Sequence, residues 1–67
     1  MTNTSLLLRC IEESGLKKGF IAKHLGITTY SLSKKINNKT EFKGSEMEKM
    51  GKLLNLDNRQ RDRIFFA

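Results

Sequence analysis

Apolar residues recur along most of the chain at intervals of three and four, which is the spacing of an amphipathic α-helix. Alternating apolar and polar stretches are too short to predict strands, and the chain contains no proline. The apolar runs are separated by glycine or asparagine, residues that tolerate the left-handed backbone at which many helices end. The pattern therefore predicts a series of short α-helices.

The first two predicted helices each end at a glycine. Gly15 and Gly26 are each followed by an apolar residue, as in a Schellman-type helix stop. The bounds that follow are 4–14 for the first helix, with Asn3 or Thr4 as N-cap, and 17 or 18 to 25 for the second. The residues expected to face the core are Leu7, Leu8, Ile11, Ile21, Ala22 and Leu25.

Three further helices are predicted after Gly26. The third has Thr28 as N-cap, carries Leu32 and Ile36, and ends at two asparagines. A loop with one apolar anchor, Phe42, precedes the fourth helix, for which we expect Ser45 and Glu48 to form a capping box. A second Asp–Gln capping pair at 57 and 60 opens a short fifth helix that holds the C-terminal aromatic residues. Five helices in 67 residues predict one all-α domain spanning 1–67, a compact five-helix bundle.

The positive charge lies in one part of the chain. The net charge is +6, with a sequence pI near 9.8. Residues 1–16 carry −1 and residues 44–67 carry +1, whereas residues 17–43 hold seven lysines against Glu41 alone, a net +6. Such a concentration predicts a polyanionic partner, although a solvated lysine-rich surface gives the same count.

The connection between the second and third helices is too short for them to fold back antiparallel. We therefore expect a steep crossing, as in a helix-turn-helix, with Ala22 allowing close approach and Gly26 supplying positive φ. Once the apolar residues are assigned to the core, the third helix keeps an outer face of polar groups and one aromatic ring. That face consists of Thr29, Tyr30, Ser33 and Lys34.

The segment from Leu16 to Thr40, 25 residues, has the features of a known family. They are Ile21-Ala22, Leu25-Gly26, a small polar residue at the start of the third helix, Leu32, and a closing Asn37-Asn38-Lys39 similar to the family's usual Asn-Gly-Lys. In these features the segment resembles the DNA-binding core of the lambda-repressor-like group, which includes the Cro/Xre-type repressors of phages and prophages. The helices on either side also fit that group's five-helix layout.

This resemblance implies a transcriptional regulator whose third helix enters the major groove of double-stranded DNA. The implied base readers are Thr29, Tyr30 and Lys34, with Thr28 or Ser33 adding contacts. The implied phosphate contacts are Lys17, Lys18, Asn37, Lys39, Thr40 and Lys43. Two simpler interpretations stay open: Tyr30 as a half-exposed ring that covers the core, and any one of the lysines as a solvated side chain.

Two residues depart from the family's pattern. Lys35 stands where the family has an apolar residue, so we expect Ile36 to replace that packing while the Lys35 stem lies along the surface. Phe20 stands where the family has a polar residue; it either packs against the C-terminal aromatics or forms a partner surface.

Binding to an inverted-repeat operator calls for a homodimer, because a monomer of this size reads few base pairs. Ile64, Phe65 and Phe66 are the candidate dimer interface, with closure of the monomer core as the equal alternative. The alternative function is a protein-interaction module on the same scaffold, antitoxin- or anti-repressor-like, that uses Phe20 and the C-terminal aromatics. An architectural DNA binder without sequence preference is a third possibility.

The chain lacks the residues that other classes of protein would require. One histidine, His24, and one cysteine, Cys10, fall on different predicted helices, so no catalytic or metal-ligating cluster is expected. We expect no enzyme activity, cofactor, metal or small-molecule ligand. No apolar run approaches the roughly 20 residues that span a bilayer, and the first ten residues lack the features of a secretory signal. The expected location is the cytoplasm of a bacterial or phage-infected cell, at the nucleoid.

Overall fold

The chain forms five α-helices and no strands. The computed structural model describes residues 1–67, and the helices run in the order α1 (Thr4–Ser14), α2 (Lys18–Leu25), α3 (Thr29–Ile36), α4 (Gly44–Leu53) and α5 (Asn58–Phe65). The predicted all-α, five-helix architecture is confirmed, and the start and end of each of the first three helices fall within one residue of the expected positions. No helix is long and apolar enough to cross a bilayer.

Helix α2 packs against both α3 and α4. Helix α1 packs against α3 and α5, and α4 packs against α5. The radius of gyration is 10.4 Å, close to the roughly 11 Å expected for a folded chain of this length. The buried apolar core consists of Leu7, Ile11, Ile21, Ala22, Leu25, Leu32, Ile36, Phe42, Met50, Ile64 and Phe65.

Local stop signals determine where the helices end. Gly26 has φ +76°, and the next residue, Ile27, donates its N–H to Ala22 O at 3.0 Å, which is the six-to-one bond of a Schellman stop. Asn38 and Asn55 end α3 and α4 in the same left-handed conformation, with φ 63° and 56°. At the end of α1 the expected six-to-one bond is replaced, because Leu16 N–H donates to Ser14 Oγ instead.

Side-chain caps set three of the helix starts as predicted. The Asn3 side chain accepts from Leu6 N–H at the start of α1, and Thr28 Oγ1 accepts from Ser31 N–H at 3.0 Å at the start of α3. Asp57 and Gln60 exchange reciprocal bonds of 2.8 and 3.0 Å at the start of α5. Each cap satisfies helix N–H groups that have no partner within the helix.

The predicted capping box of α4 is wrong. The helix begins at Gly44, earlier than expected, and Glu46 rather than Glu48 occupies the N3 position. The Glu46 carboxylate accepts the Lys43 N–H at 2.8 Å. Glu48 lies two residues further along α4, where it is exposed, and its Oε1 is 3.4 Å from Lys52 Nζ. The physical reason for the shift is that Glu46 has a buried partner on α3, Lys35, whereas Glu48 faces solvent.

The two ends of the chain are held beside the C-terminus of α3. Asn3 N–H donates to Ile64 O at 2.6 Å, and Ala67 N–H donates to Met1 O at 3.2 Å. The Asn38 side chain bonds both backbone groups of Thr2, each at 2.8 Å. These bonds tie the segment before α1 to both α3 and α5.

Candidate nucleic-acid interface

The outer face of α3 has no role in the core. Helix α3 buries Leu32 and Ile36 and leaves Tyr30 exposed on the other side, while Thr28 and Thr29 are exposed at its N-terminal end. Ser33 and Lys34, one turn further along, are half-buried. All five residues predicted as base readers therefore reach solvent: Thr28 and Thr29 at the N-terminal end of α3, and Tyr30, Ser33 and Lys34 along one side of it.

Tyr30 and Lys34 form a unit on this face. The Tyr30 side chain is 74% exposed, so it does not cover the core, and the Lys34 ammonium lies 5.4 Å from the centre of its ring. A cation–π contact at such an exposed site is worth about 0.5–1 kcal/mol. A shallow groove runs past both residues and is also lined by Ser33, Asn37 and Lys39.

The two threonines at the start of α3 differ in their availability. The Thr28 hydroxyl accepts a backbone hydrogen bond as the N-cap, so one of its lone pairs is occupied. No side-chain bond is formed by Thr29, which is exposed one position later. Thr29 is thus the freer of the two for a ligand.

The N-terminal turn of α2 lies against the N-terminal turn of α3. A Cβ placed on Gly19 would come within 3.9 Å of Thr29 Oγ1. Neither first turn contains an acidic residue, and the exposed Lys17 and Lys18 stand at the start of α2. Two positive helix ends and two ammonium groups therefore occupy one side of the molecule, an arrangement that favours an anion.

The segment that follows α3, residues 37–43, supplies the remaining predicted phosphate contacts. Lys39, Thr40 and Lys43 are exposed. Asn37 is also exposed, but its side-chain amide donates to Ser33 O at 3.0 Å. The second N–H of that amide is left free, and it can donate to a phosphate oxygen.

Lys35 does not lie along the surface as expected. It is only 7% exposed, and its ammonium donates to Glu41 O at 3.0 Å and pairs with Glu46 Oε1 at 3.2 Å. Burial raises the pKa of the Glu46 carboxyl, but the bonds from Lys43 N–H and Lys35, with the charges of both lysines, outweigh it and hold the pKa below its ordinary value. Sequence reasoning missed this pair; the one available signal was a lysine at an apolar position.

The buried pair changes the charge count of the surface. Of the seven lysines in residues 17–43, Lys35 is neutralised by Glu46, which leaves six lysines against the exposed Glu41. The surface contributed by this segment therefore remains strongly positive. The remaining cations are Lys17, Lys18, Lys23, Lys34, Lys39 and Lys43.

The aromatic residues of the C-terminus divide between interior and surface. Ile64 and Phe65 are 0% and 3% exposed, and the Phe65 ring meets Phe42 edge-on with centroids 5.3 Å apart. The candidate dimer interface is therefore corrected at these two positions, because their side chains close the monomer core. Phe66, 66% exposed, is the one of the three that remains accessible.

Phe20 does not stack on the C-terminal aromatics. It is 52% exposed on α2, and its ring stacks on His24 with centroids 6.5 Å apart. This leaves it available as part of a partner surface.

Five short helices around one core, with a polar outer face on α3 and exposed lysines at the start of α2 and after α3, define a small all-α domain. The chain belongs to the DUF739 family, described as proteins of unknown function, whose sequence profile matches residues 2–67. No curated protein and no solved structure matches the chain.

Proposed function

We propose that this chain is a sequence-specific, double-stranded DNA-binding transcriptional regulator of the phage or prophage repressor type. In this proposal α2 and α3 form a lambda-repressor-like helix-turn-helix, and α3 enters the major groove. The observation that carries the proposal is the exposed face of α3. Its side chains do not pack in the core, and it lies next to the N-terminal ends of α2 and α3, where the helix dipoles are positive.

The helix-turn-helix arrangement is supported by the geometry of the connection. Three residues, 26–28, separate the end of α2 from the start of α3. Ala22, 1% exposed, lies on α2, which packs directly on α3. A small residue at that position and a left-handed Gly26 suit two helices that cross steeply after a tight turn.

The side chains on α3 have the chemistry that reading base edges requires. Lysine donates to guanine O6 and N7, and a threonine hydroxyl donates or accepts while its methyl contacts the thymine methyl group. Lys34 and Thr29 are the candidates for these two roles, and Tyr30 presents both a ring edge and a hydroxyl. Thr28 and Ser33 add contacts at the margins of this set.

The flanking groups are suited to phosphate. Lys17 and Lys18 stand at the start of α2, and Asn37, Lys39, Thr40 and Lys43 follow α3 along the chain. Contacts of this kind fix the register of a protein on DNA and carry little sequence information. The proposed site of action is the nucleoid, in the cytoplasm.

We infer that the operator is an inverted repeat bound by a homodimer. Phe66 supports a second copy as the partner, because it is exposed and borders three neighbouring surface grooves. One of these grooves carries both signs of charge, from Glu48 and Asp62 and from Lys52 and Arg61. A surface of mixed sign is better matched to another copy of itself than to DNA.

Selection of bound sequences from random duplex DNA tests the proposal. We expect enrichment of a palindromic motif with half-sites about one DNA turn apart. Enrichment of no motif at low salt would remove the sequence-specific function, and a steep salt dependence without a motif would indicate an architectural DNA binder.

Single substitutions then assign the roles. Lys34→Ala is expected to relax preference at one base position, whereas Lys18→Ala weakens all duplexes alike and lowers the salt slope by about 0.9. Lys49→Ala is the control, since Lys49 is an exposed lysine on α4, outside the proposed interface.

A protein-interaction module is the second candidate function. Its specific support is the exposure of Phe20 and Phe66, two rings of the size that anchors protein interfaces. Phe20→Ala separates the two functions, because it leaves the selected DNA motif unchanged if α3 reads DNA and abolishes partner capture if α2 carries the function.

A further inference from the structure

A buried ion pair joins α3 to the start of α4. Lys35, near the end of α3, and Glu46, in the first turn of α4, have side chains 9% and 7% exposed, with Nζ and Oε1 3.2 Å apart. The two helices otherwise share little direct packing, because each lies mainly against α2 or another neighbour. The pair therefore provides a link that helix packing does not.

The same pair also holds the intervening segment. Lys35 Nζ donates to Glu41 O at 3.0 Å, and Glu46 Oε1 accepts from Lys43 N–H at 2.8 Å. No buried side-chain polar atom in the molecule lacks a partner. The backbone of residues 41–43 is thus fixed from both sides by one lysine and one carboxylate.

Stability alone is a poor explanation for this arrangement. Well-packed apolar residues of similar volume often replace a buried ion pair without loss of stability. What an apolar pair cannot do is bond to a particular carbonyl and a particular N–H. The geometry therefore points to a role in fixing the path of the backbone.

We propose that the Lys35–Glu46 pair positions residues 41–43 relative to the end of α3. Lys43 then meets the phosphate backbone together with Lys39 and Thr40, whose N–H groups are held by Lys34 O. This inference rests on the proposed DNA-binding function. Lys35 and Glu46 are positioning residues: they are buried and do not themselves touch DNA. Their contribution is to hold three exposed groups in one arrangement before DNA arrives, so that binding does not have to order them.

The test compares the full chain with the double variant Lys35→Met/Glu46→Gln. Methionine keeps an unbranched side chain in the core, and glutamine at N3 still accepts the Lys43 N–H. The variant loses one positive and one negative charge, so its net charge stays at +6. The variant thus removes the ion pair and the Lys35–Glu41 bond, and it keeps the bond to Lys43 N–H.

The chain contains a matched control. Glu48→Gln/Lys52→Met makes the same two changes in the exposed pair on α4, where the side chains are 62% and 78% exposed. Both variants are measured at a temperature where circular dichroism shows them fully folded. Because both double variants carry the same two amino-acid changes, a difference in DNA binding between them is due to where the pair lies and not to which residues were replaced.

Two measurements decide the outcome. In ¹⁵N relaxation without DNA, we expect order parameters for residues 39–43 near 0.85 in the unaltered chain and the control, about the value of a rigid backbone, and a clear decrease in the double variant. In fluorescence anisotropy with a random-sequence duplex, we expect the salt slope to decrease by about 0.9 for each phosphate that the variant no longer binds, with affinity lower by roughly tenfold or more.

The results separate the inference from the function on which it rests. If the folded double variant keeps the affinity and salt slope of the unaltered chain, the positioning role is overturned while the DNA-binding function stands. If the unaltered chain shows no salt-dependent binding, the function fails and the inference fails with it.

A milder variant covers the case in which the double variant does not fold. Glu46→Asp keeps the net charge at +6 and a carboxylate beside the buried Lys35, but its shorter side chain weakens the bonds across the segment, so we expect a smaller decrease in salt slope with the same sign. An unchanged slope, or order parameters below about 0.6 for residues 39–43 in the unaltered chain, overturns the inference.

Discussion

Asn38 and Asn55 share a backbone conformation but are held in it differently. Both have positive φ, at 63° and 56°, where glycine is the more usual residue. The Asn38 side chain makes two 2.8 Å bonds to the backbone of Thr2, whereas Asn55 is exposed and makes no side-chain bond. The Asn38 side chain therefore contributes hydrogen bonds that a glycine at that position could not make, whereas the Asn55 side chain contributes none.

Substitution by glycine separates the two roles. Asn38→Gly is expected to lower the free energy of unfolding by about 1 kcal/mol, because it removes two hydrogen bonds and recovers part of the left-handed strain. Asn55→Gly is expected to be neutral or slightly stabilising. Urea unfolding measures both; equal effects of the two substitutions would contradict the role assigned to Asn38.

Glu46 gives the fold a dependence on acid. Its pKa is lowered in the folded state, so ionised Glu46 contributes stability that is fully present above the unfolded pKa near 4.5 and is lost as pH falls through the lower folded value. The groups that face this carboxylate are the Lys35 ammonium and the Lys43 N–H.

We expect Glu46→Gln to flatten the acid limb of the stability curve. Glutamine does not titrate, so the difference in unfolding free energy between the unaltered chain and the variant should shrink as pH falls below about 4.5. Urea unfolding at a series of pH values measures this. A difference that stays constant across that range would mean that the carboxylate charge does not contribute.

At the scale of the elements, the start of α3 combines a structural residue with a free one. Thr28→Ala is expected to cost about 1 kcal/mol of stability, since its hydroxyl caps the helix, and Thr28→Ser to retain most of it. Thr29→Ala should leave thermal unfolding unchanged and alter DNA preference instead. Loss of stability at Thr29 and none at Thr28 would reverse the assignment of the cap.

Most helix ends could be predicted from the sequence because their signals are local. A cap or a left-handed residue acts within a few positions of itself, as Thr28 and Gly26 do. The start of α4 could not be predicted in this way. Glu46 and Glu48 are both within reach of the helix N-terminus along the chain, and the choice between them depends on Lys35, which lies on another helix.

At the scale of the whole molecule, the outer face of α3 was predictable by elimination, since its inner residues had to fill the core. The concentration of charge in residues 17–43 was likewise visible in the sequence. Burial of Lys35 was not, because a charged side chain enters the interior only with partners that the tertiary fold supplies. For the same reason, the sequence could not predict that Phe65 is buried and Phe66 exposed.

The C-terminal residues offer a test of association. Phe66→Ser is expected to leave stability within about 0.5 kcal/mol, the usual range for an exposed site, and to weaken dimer formation on DNA. Ile64→Ala, at a fully buried site, should cost about 2–5 kcal/mol and unfold much of the population. Analytical ultracentrifugation with operator DNA measures dimer formation by Phe66→Ser. If this variant forms the dimer as readily as the unaltered chain, the dimer interface lies elsewhere.

The pairing of Met1 with Ala67 has a practical consequence for engineering. Since Ala67 N–H donates to Met1 O, a linker of a few glycines is long enough to close the chain into a ring or to permit circular permutation. The same adjacency means that a purification tag at either terminus emerges next to Thr2 and its partner Asn38. Labels intended for binding assays are therefore better attached at a Lys49→Cys substitution on α4, in a chain whose own free thiol is removed by Cys10→Ser.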